Sequence, residues 1–431
     1  MVQSIDDSEV PARPASRVVY VVSEELVKAS SLLPSNRNRS FLVHSLVAAL
    51  GLFKAVNPDL DGQKYMQVIR PRRASPRELL VYHTRDYLEY ALNPATRDCQ
   101  DQSQIAEFGL EDDCPPFHNM HEYIQLVAGA TLTAVDTLKD DVCDVAICWD
   151  GGRHHAQKSK ASGFCYVADC VLAILALKKN RLAATISATS NTLPTITTRK
   201  PRVMYVDLDV HFSDAVSEAF YNASSTASSQ ILTLSIHHTS PGFFPPSLLS
   251  DLSNPDDPAF DPFTLSLPLK AGASNRTFAR VWPTVNGIEK TFGPDFVVIQ
   301  CGVDSLAGDP VATWNWCLGD GEGSLGGWLE KMLREWRGKK LLLGGGGYNS
   351  ANAARAWAYL TSIAMGNPLP VDTDIPEHRA LPLYQPSFTL DVPAGNMRDE
   401  NSEGYLLEVE RRFERIREVL SCRLSGATGS V

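Results

Sequence analysis

Short continuous runs of Val, Ile and Leu alternate along this chain with segments of helical periodicity, and this alternation constrains the fold more than any other feature. The predicted strands are Arg17–Val22 (RVVYVV), Asp144–Trp149 (DVAICW), Arg202–Asp207 (RVMYVD), Ile231–Ile236 (ILTLSI), Phe296–Gln300 (FVVIQ) and Lys340–Leu343 (KLLL). Helical patterns follow at Val167–Leu177, Ala215–Phe220, Thr277–Phe292, Leu329–Trp336 and Ala351–Met365. A strand that is apolar at every position has no face for solvent. Such strands belong to a parallel sheet covered by helices on both sides. The segment Glu403–Leu420 sets Leu406, Val409, Phe413, Ile416 and Leu420 at helical spacing and predicts a helix packed on the core. Two segments break the rhythm. Thr185–Thr198 holds eight Ser/Thr in fourteen residues, and Asp251–Pro262 is acidic and turn-rich, so both are expected to be loops. Residues 1–16 read as a disordered lead-in and 425–431 as a frayed tail.

The length of 431 residues allows two or three domains. No run approaches the roughly 18–20 apolar residues that span a bilayer. The start, MVQSIDDSEV, is too acidic and polar for a secretory signal. With 40 basic and 50 acidic side chains the net charge is −10. That is the wrong sign for a nucleic-acid footprint, but it suits a basic protein substrate. Nine cysteines without a CxxC pair argue against a disulfide scaffold or a zinc finger. Reduced thiols of the cytosol or nucleus fit better.

The chemistry collects after strands, where open α/β sheets bind ligands. The strand at Val203 runs into Asp207, Asp209 and His211. Alternation turns these three to one side and Leu208 and Val210 to the other. Two carboxylates and an imidazole at a buried strand end are costly unless paired or bound to metal. A salt-bridged strand end is the plainer alternative. After FVVIQ comes Asp304, which taken alone is a turn residue or helix cap. If its strand neighbours the first, Asp209, His211 and Asp304 make the two-carboxylate, one-imidazole set of a catalytic zinc with an open position. After DVAICW, Gly151-Gly152 lead to Arg153 and the tandem His154-His155, suited to acid–base work. Each histidine needs a carboxylate to hold its tautomer, and Asp207 and Asp214 are available. After KLLL, four glycines end in Tyr348 without the Lys-Ser/Thr of a phosphate loop. They make either a tight turn over a core tyrosine or a mount that holds its hydroxyl near a carbonyl oxygen gaining charge. One site built from Trp149 to Tyr348 favours a single domain over 17–424.

These four strand ends, in this order, resemble the zinc-dependent histone deacetylase family, most closely its class I group. The resemblance is carried by GGRHHAQKSKASGFCYVADC, VDLDVHFSDAVSEAF, LSIHHTSPGFFP, CGVDSLAGDP and LLLGGGGYN, with NRSFLVHSL and GLEDDCPPF upstream, and it covers residues 17–395. It implies an α/β fold of the arginase/deacetylase kind: one domain, a central mostly parallel sheet of about eight strands, helices on both faces. It also implies zinc-dependent hydrolysis of the acetyl-lysine amide on histone or other protein tails. Carried over by residue, Asp209, His211 and Asp304 match the zinc ligands. His154 and His155 match the tandem histidines, paired with Asp207 and Asp214. His155 would be the general base and His154 an electrostatic partner. Tyr348 matches the tyrosine that polarises the amide carbonyl. Gly163, Phe164 and Phe244 match the walls of the acetyl-lysine channel. Asp113 matches a rim acid that holds the substrate backbone, and Arg39 an arginine lining an internal cavity. Asp207, Asp209, His211, Ser235 and Ile236 match an inner monovalent-cation site, expected to hold K+. Nuclear action, extending to the cytoplasm, and corepressor complex subunits as partners complete the expectation, with no direct contact to nucleic acid or membrane.

Three departures from the family pattern bear on activity. Phe212-Ser213-Asp214-Ala215 stands where His-Gly-Asp-Gly is usual, and Ser and Ala would be strained if that backbone needs positive φ. Arg153 replaces a large apolar residue, and a cation there would lower a histidine pKa. Pro245-Pro246-Ser247 replace a Gly-rich turn at the rim. A silent deacetylase-fold scaffold and an acetylpolyamine deacetylase are the alternative readings.

Overall fold

In the computed structural model the described residues are 17–53, 66–99, 101–179, 182–186, 195–224, 228–311, 313–319 and 321–426. The expected lead-in at 1–16 lies outside them. All six predicted strands form, and two more join them in one eight-stranded sheet. The strands are β1 (Val18–Val21), β2 (Met66–Ile69), β3 (Val145–Cys148), β4 (Leu182–Ile186), β5 (Thr195–Arg199), β6 (Val203–Asp207), β7 (Ile231–His238), β8 (Thr264–Leu269), β9 (Phe296–Gln300) and β10 (Lys339–Leu343). The sheet order is β2-β1-β3-β10-β9-β6-β7-β8, and every pairing in it is parallel.

Continuous apolar strands serve two cores at once. Val18 and Tyr20, Val145 and Ile147, Met204 and Val206, and Val297 and Ile299 pack on one side. Val19 and Val21, Ala146 and Cys148, Val203 and Tyr205, and Phe296 and Val298 pack on the other. The first core is closed by helices including Asn275–Phe292, Leu325–Glu335, Ser350–Ala364 and Glu403–Gly426. The second is closed by Glu24–Ser30, Met120–Lys139 and Asp169–Lys178. The last helix extends through Gly426, two residues into the expected tail.

The sheet order brings four strands together at its centre: β3, β10, β9 and β6. These are the four whose ends carry the predicted chemistry. In register, Asp207 stands opposite Gln300, and Leu343 lies opposite both Cys148 and Gln300. Residues more than a hundred positions apart therefore open into one site.

One expectation needs correction. Thr185–Thr198 is not all loop: β4 and β5 pair antiparallel as a separate two-stranded ribbon, with Thr185 opposite Ile196. The β-branched Thr and Ile favour extended backbone there, although the segment is rich in polar Thr. Residues 187–194 lie outside the described set. Asp251–Pro262 holds no helix or strand, as expected.

Candidate active site

Asp209, His211 and Asp304 converge. A donor atom from each lies within 4.8 Å of the others. His211 Nδ1 is 3.0 Å from Asp304 Oδ2 and 3.2 Å from Asp209 Oδ1. Strand β6 stops at Asp207, but its alternation continues through the next residues, sending Leu208 and Val210 into the core. Both carboxylates are buried. Burial pushes Asp304 up, with the Asp209 charge adding to it. Burial also opposes ionisation of Asp209, but His154 and His211 outweigh it and hold Asp209 well below the usual range. Burial alone would lower His211, yet the two aspartates push it up to about 10. A cation shared by the three donors would do the work that this proton does here. One imidazole nitrogen and two carboxylate oxygens are a donor set that suits zinc. Gly346 allows the approach: a Cβ there would lie 2.1 Å from Asp304 Oδ2, and its N–H donates to Asp209 Oδ2 at 2.8 Å.

The tandem histidines find the partners expected from sequence. His154 Nδ1 lies 2.8 Å from Asp207 Oδ2, and His155 Nδ1 lies 2.7 Å from Asp214 Oδ1. A carboxylate only accepts, so each Nδ1 donates and each Nε2 is left toward the site. The two rings nevertheless differ. Against burial, Asp207 and Asp209 push His154 up to about 9. Burial, and then the His154 charge, push His155 down to about 4. A cationic His154 thus stands beside a neutral His155, which is free to accept a proton.

Tyr348 follows the glycines on the loop after β10, its ring edge-on to Phe164 at 5.4 Å. Burial raises its hydroxyl well above the ordinary range, so it keeps its proton. Phe244 stands 5.0 Å from His155 and 6.3 Å from His211, ring to ring. Gly163, at φ 51°, makes room for both: a Cβ would come within 2.6 Å of the His155 ring and 2.8 Å of Phe244. Phe164 itself sits at φ 65°, an uncommon conformation for a bulky residue. Arg39 is buried and donates to the carbonyl of Gly347 at 2.9 Å, immediately before Tyr348. Asp113 lies outside this cluster on an exposed loop, next to Cys114, whose thiol approaches the Cys165 carbonyl at 4.0 Å. Ser235 lies opposite Asp207 on β7, while the Ile236 side chain is in the core, leaving only its backbone for a cation.

The departures resolve differently from expectation. Ser213 has φ −77°, and Ala215 lies within the helix Asp214–Phe220, so no positive φ is required and no strain follows. Phe212 is buried against His237 at 4.8 Å. The Arg153 guanidinium turns away from the histidines and donates to the Asp150 carbonyl through Nε at 3.3 Å and Nη2 at 2.9 Å. It is not what lowers His155. At the rim, Ser247 caps a short turn, Leu248–Ser250, that leaves Leu248 exposed.

Three positioning residues escaped the sequence reading. Gln300, at the end of β9, donates to Asp209 Oδ2 at 3.0 Å and accepts from the Gly302 N–H at 2.7 Å. Asp309 accepts from the backbone N–H groups of Tyr348 and Asn349 at 2.6 and 3.0 Å. Asp169 holds the turn before the histidines through the N–H groups of Gly152 and Arg153 at 3.0 and 2.7 Å. The one available signal was a polar residue closing an apolar strand, at Gln300.

Residues 34–364 match the family model described as the histone deacetylase domain. Histone deacetylase 8 of Danio rerio is 35% identical over 95% of this chain and 97% of its own length. Histone deacetylase 9 of Arabidopsis thaliana is 33% identical over 88% of this chain and 79% of its own. With the sheet order and the four converging strand ends, these matches establish that the chain belongs to the histone deacetylase family.

Proposed function

We propose that the chain is a zinc-dependent lysine deacetylase that hydrolyses the acetyl-lysine amide of histone or other protein tails. The observation that carries this reading is the convergence of Asp209, His211 and Asp304 beside a carboxylate-held histidine pair. Bound by those three, zinc would supply a Lewis acid and an activated water at neutral pH. The chain's own residues would do the rest. Neutral His155, held by Asp214, takes a proton from the attacking water. It returns that proton to the lysine nitrogen as the C–N bond breaks, giving acetate and free amine. Cationic His154 stabilises charge nearby, and the Tyr348 hydroxyl donates to the amide oxygen as it becomes an oxyanion. Phe164 and Phe244 flank the apolar acyl-lysine stem beside Gly163, and Asp113 holds the substrate backbone at the rim. We infer an inner K+ site at Asp207, Asp209, His211, Ser235 and Ile236, nuclear action that extends to the cytoplasm, and corepressor subunits as partners.

The silent-scaffold reading drew on strain at residues 212–215, and the negative φ throughout that stretch removes that support. Purified protein should contain about one zinc per chain and cleave an acetyl-lysine peptide, with activity lost to a chelator. Tyr348→Phe should keep the metal and lose about 10²–10³ in kcat. Stoichiometric zinc with no turnover on any acyl-lysine peptide would sink the proposal. Asp304→Ala should lose the metal, and full retention in elemental analysis would refute its assignment as a ligand.

A further inference from the structure

Asp214 accepts on both carboxylate oxygens. Oδ1 takes the His155 Nδ1–H at 2.7 Å, and Oδ2 takes an N–H of the Gln157 amide, Nε2, at 3.0 Å. His155 and Gln157 stand two residues apart, while Ala156 between them turns into the second core. One short stretch of chain therefore grips the first residue of the helix Asp214–Phe220 through two side chains.

The second bond matters because an aspartate does not orient its own carboxylate. The torsion at that sp³–sp² bond is broad and roughly two-fold, so one hydrogen bond leaves the plane free to turn. Two influences would turn it here. Ser213 makes no side-chain capping bond, so open N–H groups of the first helical turn compete for the carboxylate. Glu218 lies one turn along the same helix. Burial, and then the Asp214 charge, push the Glu218 carboxyl up, with Lys160 offsetting them in part. Among the described residues, no lysine or arginine forms an ion pair with Asp214; its ionic partner is His155. The Gln157 amide is neutral, so it fixes the carboxylate and leaves its full charge facing the imidazole. Gln157 is itself anchored. Its backbone N–H donates to the Lys160 carbonyl at 2.9 Å. The next carbonyl, of Lys158, accepts from the Thr84 N–H at 3.0 Å and from His83 Nδ1 at 3.2 Å.

We propose that Gln157 is a positioning residue for the general base: its amide sets the plane of the Asp214 carboxylate and, through it, the direction of His155 Nε2. The kinetic consequence rests on the deacetylation assigned above. The structural consequence rests only on the hydrogen-bonded chain His155–Asp214–Gln157.

Gln157→Met keeps the length of the side chain and removes the donor. On an acetyl-lysine peptide, the zinc-loaded variant should lose about tenfold in kcat, with KM, zinc content and Tm unchanged. In an Asp214→Ala background the same substitution should change kcat by less than about twofold, because its effect passes through Asp214. A merely structural role would cost the same factor in both backgrounds. Proton NMR supplies a reading that needs no turnover. The low-field His155 Nδ1–H resonance, identified by its absence from His155→Gln, should be sharp in the parent protein and broadened in Gln157→Met. It decides the positioning even if the parent cleaves no acyl-lysine peptide, and Gln157→Ala repeats it should Met disturb the turn. Unchanged kcat in Gln157→Met, a loss of about tenfold that persists on top of Asp214→Ala, a loss confined to KM, or an unaltered Nδ1–H resonance would each overturn the proposal.

Discussion

His154 and His155 are adjacent in sequence, yet their surroundings assign them opposite charges. The difference lies in what each ring faces: two aspartates for His154, but one aspartate and a cationic neighbour for His155. The Asp214 carboxylate sets which nitrogen of His155 carries the proton. Asp214→Asn should therefore lower kcat by about 10–100-fold while zinc content stays near stoichiometric. An unchanged kcat would mean that Asp214 does not orient the base. His83, which belongs to neither the proposed ligand set nor the histidine pair, gives a pH test of stability. It is buried, and Nε2 accepts from the Ala168 N–H at 3.0 Å, a bond that only the neutral ring can make. Burial pushes it down to about 4 from 6.5. A depressed histidine stabilises the fold fully above pH 6.5, and the contribution is lost as pH falls toward about 4. The full loss is about 3 kcal/mol. Urea unfolding should show lower stability at pH 5 than at pH 7.5, and His83→Asn should flatten the difference. At this scale the convergence of Asp209, His211 and Asp304, the proposed metal ligands, and the pairing of the histidines with Asp207 and Asp214 were legible because acid and imidazole side chains at the ends of apolar strands have few other uses. Gln300 and Asp309 were not legible. Their partners are fixed by strand pairing and loop closure, which no local spacing encodes.

Among the elements, the strands that carry the site are also those most plainly written in sequence. A central parallel strand must be apolar on both faces, and β3, β6, β9 and β10 are buried along nearly their whole length. The edge is harder to read. The β2 residues Gln67 and Val68 are exposed, so no continuous apolar run marks that strand. The helix Asp214–Phe220 shows how a departure in sequence can be neutral in structure. Ala215 occupies ordinary helical backbone there, so restoring the family's glycine should destabilise the fold by about 0.5–1 kcal/mol and leave kcat within twofold. Denaturant unfolding of Ala215→Gly distinguishes this from strain, because relief of strain would make the variant more stable.

At the scale of the whole molecule, the match to the family's domain model ends at residue 364 while the core does not. Ile375, Tyr384, Leu390, Val392, Val409, Phe413, Ile416 and Leu420 are all buried in the same cluster as the central strands. The last helix lies against Asn275–Phe292, where Arg280 pairs with Glu403 and Glu410. We therefore propose one cooperative unit that extends from residue 17 to about 424. Burying each large apolar side chain is worth about 1.5–3 kcal/mol. Eight such side chains amount to roughly 12–24 kcal/mol, at or above the entire stability of an ordinary domain, about 5–15 kcal/mol. A chain shortened to end at residue 364 would also expose the apolar face of Asn275–Phe292 to solvent. It should show no cooperative thermal transition by circular dichroism and should aggregate on expression. A chain ending at residue 426 should melt within about 1 °C of the full protein, since the last helix and the core it closes are retained. A cooperative melt of the 364-residue form within a few degrees of the full chain would refute the single unit and make the C-terminal segment an appendage.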